Sequence, residues 1–235
     1  MKHLVIVISF VISLCFLIFS RGSDTIYVQA SKGSFNDAAI HQLFERDKHL
    51  QAELNFSGTP INTFMNAHTH GGYAFTAVEN SSIDGRLVPA TVEALKSFQI
   101  EKVIAKTTMP IEMCVLSNRR DVENNIGIRK IASHPAALKQ ILRWKSAFSP
   151  EEIEVPEGTA SAAEKVALSQ LPQGTAAIGP CILDQVYKGL VVVERGIQDN
   201  KDNQTTFLLM HVKPRDKNVS EPEVRNELRM AIERG

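Results

Sequence analysis

The sequence carries no excess of either charge. Its 26 lysines and arginines match 26 aspartates and glutamates, so the formal net charge is zero. A basic field able to draw nucleic acid is missing, and nucleic acid is not an expected partner. No glycine-rich phosphate loop is present, so no nucleotide cofactor is indicated. No internal repeat or low-complexity tract is visible. Cysteine is scarce, with three in 235 residues, and tryptophan occurs once. That length suffices for one large domain or two small lobes with a sizeable core.

Charge is also absent from Leu4 to Phe19, an apolar run behind a short basic start. The run is short for a bilayer span, which needs about 20 residues. It suits the apolar region of a secretory signal peptide, with Ser20 or Gly22 as the small residue before cleavage. Residues 1–22 are therefore expected to be a signal peptide. The mature chain would begin near residue 23, be periplasmic or secreted, and hold no membrane segment. An uncleaved anchor is the alternative. Cys15 follows Leu14, whereas a lipoprotein site wants a small residue there, so lipidation is not expected. Cys114 and Cys181 remain. They could pair in an oxidising compartment, or stay as two buried thiols in apolar surroundings.

What is present alternates. TIYVQA reads as a strand, and SKGSFNDAAIHQLFERD as a turn and a helix. Ser34 or Asn36 can cap that helix, and Ala39, Ile40, Leu43 and Phe44 recur at helical spacing. A strand running through glycine into a helix N-terminus suits an anion. YAFTAVENS reads as a strand with a polar end, and PATVEALKSF as a short helix with proline near its start. EKVIAKTTMPIEMCVLSN gives two strands around Pro110. IRKIASHPAALKQILRWKSA gives strand, turn and a helix beginning at Pro135. GTASAAEKVALSQL is a helix, and GTAAIGPCILDQVYKGLVVVERGI adds strand, helix and strand. NQTTFLLM places paired threonines before a short apolar strand. NVSEPEVRNELRMAIERG is an amphipathic helix that packs on a lobe or on a second subunit. Such alternation predicts an α/β fold with mostly parallel sheets. The polar clusters GSFN, ENSS, SHP, GTAS and NQTT fall at strand ends or helix starts, the pattern of one shared cleft.

Seven segments, in order, resemble the prephenate dehydratase family. Ser31–Ala39 is similar to its opening GTFSxxAA, Val78–Ser81 to its ENS motif, and PATVEAL to the following helix. Ala132–Gln140 is similar to SHPxALxQ, and Gly158–Ala167 to its S/D-T-A-x-A-A segment. AAIGPCILDQVYKGL resembles AAI…YGL, and GIQDNKDNQTTFLLM resembles IxD…N-x-TRF. The resemblance implies a two-lobed, periplasmic-binding-protein-like (type II) fold with a cleft between lobes. The first lobe would take about 23–105 plus 190–235, and the second about 106–189. Departures are plain: Ser34 stands for threonine, Asn36 for serine, and Thr206 for the TRF arginine. SIDGRL after ENS is about two residues longer than in the family pattern, and Lys188 is extra. Phenylalanine feedback through the ACT domain that commonly follows in the family is not expected. A homodimer, common in the family, is.

The resemblance implies decarboxylative dehydration of prephenate to phenylpyruvate in phenylalanine biosynthesis, without metal or organic cofactor. Such a site holds a small carboxylate substrate and helps hydroxide leave. Thr205 is the implied catalytic residue. Ser34, Asn36, Asn80, Ser81, Thr159, Ser161, Thr206 and Phe207 are implied around the substrate, with Phe207 backing the turn. Lys32, Arg86 or Lys201 could supply the cation that Thr206 lacks. Alternatives stay open: a non-catalytic periplasmic binding protein for a small carboxylate, or a divergent prephenate decarboxylase. Asn80 and Ser81 could simply cap the next segment. HTHGG at His68–Gly72 reads as a surface loop rather than half a metal site. His134 reads as a loop hydrogen-bonder, Trp144 as packing, and Asn118–Asp121 as solvated.

Overall fold

The computed structural model describes residues 25–235, so the expected signal peptide lies outside the described residues. Two five-stranded sheets form the chain's two lobes. The first orders its strands as β2 (Glu53–Gly58), β1 (Thr25–Gln29), β3 (Tyr73–Asn80), β10 (Gln204–Pro214) and β4 (Phe98–Pro110). The second orders β7 (Glu151–Glu154), β6 (Lys130–Ser133), β8 (Thr175–Pro180), β5 (Met113–Asn118) and β9 (Leu190–Glu194). The chain crosses between lobes at Ile111–Glu112 and again after Glu194. β9, expected in the first lobe, thus belongs to the second sheet.

Both sheets are mixed, not mostly parallel. β10 runs antiparallel to both β3 and β4, and β5 antiparallel to both β8 and β9. The reason is topological. A strand that returns from the other lobe enters its sheet from the cleft end, against the direction of β1 and β3.

Helix α1 (Phe35–Arg46) starts at Ser34, whose backbone is extended and whose hydroxyl accepts the Asp37 N–H at 3.2 Å. Its apolar stripe of Ala39, Ile40, Leu43 and Phe44 packs with Val28, Phe75, Phe207 and Leu209 on one face of the first sheet. Helices α2 (Pro60–His70), α3 (Pro89–Ala94) and α9 (Glu221–Arg234) cover the other face, on Ala74, Val78, Leu208 and Met210. The tail helix therefore packs on the first lobe.

β2 and α2 were not read from the sequence. Their signals are local: Thr59 caps α2 and Pro60 opens it. His68 and His70 belong to the last turn of α2, and Gly71 ends it at φ 73°. HTHGG is a helix end rather than a loop.

In the second lobe, α4 (Arg119–Glu123) follows β5, and Asn118 and Asp121 are buried. Asn118 Nδ2 donates to Val166 O at 2.9 Å, and Asp121 Oδ2 accepts the Gly174 N–H at 2.9 Å. Only the two arginines of that tetrapeptide are exposed. The expected helix after His134 is two, α5 (Pro135–Leu138) and α6 (Leu142–Phe148). The Asp199 carboxylate accepts the N–H groups of Leu142 and Arg143 at 2.7 and 2.9 Å, fixing a fresh N-terminus there. α7 (Thr159–Ala167) and α8 (Leu183–Val186) complete the lobe. Cys114 and Cys181 form a disulfide across β5 and the turn after β8. That settles the open choice in favour of pairing.

Candidate active site

The paired threonines sit at the start of β10, where it meets the polar end of β3. Thr205 pairs in register with Asn80, and Thr206 with Glu79. The next pair is Phe207 with Ala77, so Val78 is an extra residue bulged from β3. Bulges re-aim side chains. Here Asn80 Nδ2 donates to Thr205 Oγ1 at 2.7 Å, and both residues are buried. Asn80 Oδ1 accepts the Ser82 N–H at 2.8 Å. That bond fixes which way the amide points, because only an oxygen can accept it. Thr205 oxygen is therefore an acceptor toward Asn80, and its own proton remains to be donated elsewhere.

Successive strand residues face opposite sides. Thr205 faces the side of Phe207 and of Met109, its β4 partner, which packs with the α1 cluster. Thr206 faces the other side. Its hydroxyl is 3.0 Å from Thr108 Oγ1 and 3.5 Å from Glu79 Oε2. The two hydroxyls thus serve different environments. Phe207 is 1% exposed and stacks on Phe75 with centroids 5.7 Å apart, so it backs the strand from the core. Ser81 knits β3 to β10: its N–H donates to Gln204 O and its hydroxyl accepts the Gln204 N–H, both at 2.9 Å.

The α1 corner supplies the next group. Gly33 sits at φ 81° and packs tightly against the second lobe. A β-carbon there would lie 2.7 Å from Leu183 Cδ2 and 3.2 Å from Val186 Cγ2. Leu183 Cδ1 would in turn lie 2.9 Å from one on Gly179, whose other neighbour is Thr159 Cβ at 3.2 Å. Leu183, at the seam between lobes, thus packs against Gly33, the residue before Ser34, with one methyl and against Gly179, the neighbour of Thr159, with the other. Phe35 and Met109 pack into the cores of both lobes and link this seam to Thr205. Nothing local in the sequence marked Leu183, Phe35 or Met109, since apolar residues at a seam read like core.

The two helix starts at the seam differ. At α1, Asp37 Oδ2 accepts the Gly33 N–H at 2.8 Å while Ser34 accepts the Asp37 N–H, so the helix carries its own anion. At α7, Gly158 caps with no side-chain bond, leaving Thr159 and the half-buried Ser161 at an N-terminus with no acid in its first turn, while the preceding Glu157 is paired with Lys165 at 3.1 Å. An external carboxylate is better received there. Asn36, 7% exposed, holds its Oδ1 buried without a protein donor. It is the one such side-chain atom among the described residues, and unpaired buried acceptors call for a reason.

Of the candidate cations, Arg86 Nε pairs with Glu79 Oε1 at 2.8 Å, and Lys201 is bonded to the Gly196 carbonyl. Lys32, beside Gly33, is exposed. His134 Nδ1 accepts the Ala136 N–H at 3.1 Å and caps α5, the hydrogen-bonding role expected of it. Burial pushes its pKa below the ordinary imidazole value, against a raising pull from Glu154. Trp144 donates to Glu194 at 2.8 Å and packs on Phe148. Glu112 lies beside the disulfide, but both sulfurs of that cluster are joined to each other and offer no thiolate.

These positions define a class: a two-lobed α/β protein that carries neutral hydroxyls and amides at the strand ends of one lobe and at a helix start of the other. The family model for prephenate dehydratase matches residues 26–215, and the chain belongs to that family. It is 30% identical over 182 residues to a bifunctional chorismate mutase/prephenate dehydratase of Enterobacter agglomerans, covering 76% of this chain and 44% of that protein. It is 33% identical over 141 residues to a prephenate dehydratase of Amycolatopsis methanolica, covering 60% of this chain and 43% of that one. The chain thus spans less than half the length of these curated relatives. Among solved structures, a prephenate dehydratase from Arthrobacter aurescens in complex with L-Phe shares the fold. Its TM-score is 0.65 at 21% identity, over 83% of this chain and 61% of that one.

Proposed function

We propose that this chain is an exported prephenate dehydratase, a carbon–oxygen lyase of phenylalanine biosynthesis acting in the periplasm or outside the cell. The observation that carries the reading is the oriented Thr205 hydroxyl. With Asn80 donating to its oxygen, its proton is free to face a departing hydroxyl. In the reaction the bond from ring to carboxylate breaks and carbon dioxide leaves. That electron pair enters the ring, the ring C–O bond breaks, and hydroxide leaves as water after taking up one proton. Aromatisation drives the change. The protein has to hold two carboxylates, orient the ring and stabilise the departing oxygen. Thr159 and Ser161 at the α7 start suit one carboxylate. Lys32, beside the Gly33 corner, suits the other. Asn36 Oδ1 suits a hydroxyl donor. Export is supported by the apolar pattern of residues 4–19 and by the Cys114–Cys181 disulfide, since disulfides persist in oxidising compartments. A homodimer is part of the proposal, and sedimentation tests it.

The experiment mixes purified protein with prephenate at neutral pH and follows phenylpyruvate. Turnover supports the lyase. A second reading, a receptor for a small carboxylate, is favoured by Thr206 standing where the family pattern has arginine. No turnover together with a thermal shift by prephenate would establish it. A product that has lost carbon dioxide but kept the hydroxyl would mark a decarboxylase.

A further inference from the structure

Glu79 stands directly before the residue that aims Thr205. Its two oxygens face two elements: Oε1 is 2.8 Å from Arg86 Nε, and Oε2 is 3.5 Å from Thr206 Oγ1. Arg86 also grips this corner through its backbone. Its carbonyl accepts the Asn80 N–H at 2.8 Å, and its own N–H donates to Ile83 O at 2.9 Å. Arg86 does this at φ 65°, directly after Gly85 at φ 69°. Two successive left-handed residues form the kind of turn in which glycine is favoured. A long side chain there is costly, and such residues persist where the surroundings hold them. The Arg86 side chain is 65% exposed and reaches a Glu79 side chain that is 22% exposed.

The position on β10 that faces Glu79 is 206. The family pattern has an arginine there, and this chain has threonine with a longer turn after Ser81. We propose that the guanidinium has moved from the strand to the turn. Arg86 is a positioning residue that clamps Glu79–Asn80, so that Asn80 Nδ2 meets Thr205. The catalytic part of this inference rests on the function proposed above. The clamp itself rests on geometry alone.

The test uses Arg86→Gln, Thr206→Arg and the double variant. Glutamine keeps the left-handed backbone cost and removes the charge. Amide exchange by mass spectrometry is read in peptides covering 79–83, with β8 as the distant control, beside kcat and KM for prephenate. In Arg86→Gln, exchange at 79–83 is expected to rise about tenfold with β8 unchanged. The value of kcat should fall about tenfold with KM little moved. Adding Thr206→Arg should restore both to within about threefold, because an arginine at 206 reaches the other Glu79 oxygen. Unchanged exchange at 79–83, an equal rise in β8, or no rescue would each overturn the clamp. If the parent protein makes no phenylpyruvate, the proposed function falls, and the exchange data alone still decide the clamp.

Discussion

Replacing Thr205 with valine keeps the shape of the side chain and removes its oxygen. Asn80 Nδ2 then loses its acceptor in a place where Asn80 and Thr205 are 7% and 6% exposed. Leaving a buried donor unpaired costs about 1–3 kcal/mol. For a chain of this size each kcal/mol lowers Tm by about 2–4 °C, so a fall of roughly 2–12 °C is expected. The catalytic effect should be larger. A preorganised donor aimed at developing charge is worth about 2.7–4 kcal/mol, or roughly 10²–10³ in kcat. Thr205→Ser keeps both the acceptor and the proton. It should retain at least about a tenth of the parent rate, since only its rotamer is freer. The assay follows phenylpyruvate in parallel with thermal unfolding of the same samples. The decisive comparison is valine against serine. A valine variant that loses stability as computed yet keeps its kcat within about threefold would make the hydroxyl purely structural, and the reasoning would fail.

Three further outcomes are expected. Asn36→Ala removes a buried oxygen that no protein group satisfies. The ligand-free protein should therefore keep or gain stability, while the thermal shift produced by prephenate shrinks; a clear loss of ligand-free stability would show that Asn36 has a structural role. Reducing the Cys114–Cys181 bond, which spans 67 residues, should lower stability by about 4 kcal/mol on the loop-entropy model, or on the order of 10 °C. Mass spectrometry after alkylation without reductant should find neither of these thiols labelled. Finally, burial holds the His134 pKa below its unfolded value of about 6.5. The unfolded chain then takes up protons first, so stability is full above that value and is lost as pH falls through the depressed one. His134→Asn, which keeps a capping acceptor, should flatten this acid limb of stability against pH.

The legible parts of the fold were those with a local signal. α1 was readable because Ser34, the apolar stripe and the flanking strand all agree. α7 and α9 were readable from their helical apolar periodicity. The break between α5 and α6 was not, because its cause is Asp199, 57 residues away in sequence from Leu142. The parallel expectation failed for a similar reason. Alternation of strands and helices says nothing about a strand that returns from a second lobe. At the site, the segments were legible but the directions were not. Thr205 and Thr206 are neighbours in sequence, yet the bulge at Val78 decides that Asn80 meets the first and Glu79 the second. Likewise the sequence does not show that Ser81, implied beside the substrate, also stitches β3 to β10.

Two of the segments that resemble the family, SHPAALKQ and GIQDNKDNQTTF, are joined in three dimensions as a single clamp. Gln140 ends SHPAALKQ, and its side-chain oxygen accepts from Asn203 Nδ2 at 2.7 Å while its carbonyl accepts the Asp199 N–H at 2.7 Å. Asp199 caps α6, and Asn203 leads through Gln204 into Thr205. The return crossing from second lobe to first is thus fastened to the second lobe just before it delivers the hydroxyl. That fastening sets the height of Thr205 against the seam, where its partner Asn80 is held from the other side by the turn carrying Arg86. Position 206 lies on the face of β10 turned away from this pairing. A change there can be absorbed by another guanidinium reaching Glu79, whereas a change at Gln140, Asp199 or Asn203 would move the strand itself. The arginine's replacement is therefore compatible with an intact Thr205 geometry, and the loss most damaging to that geometry would be one in the clamp.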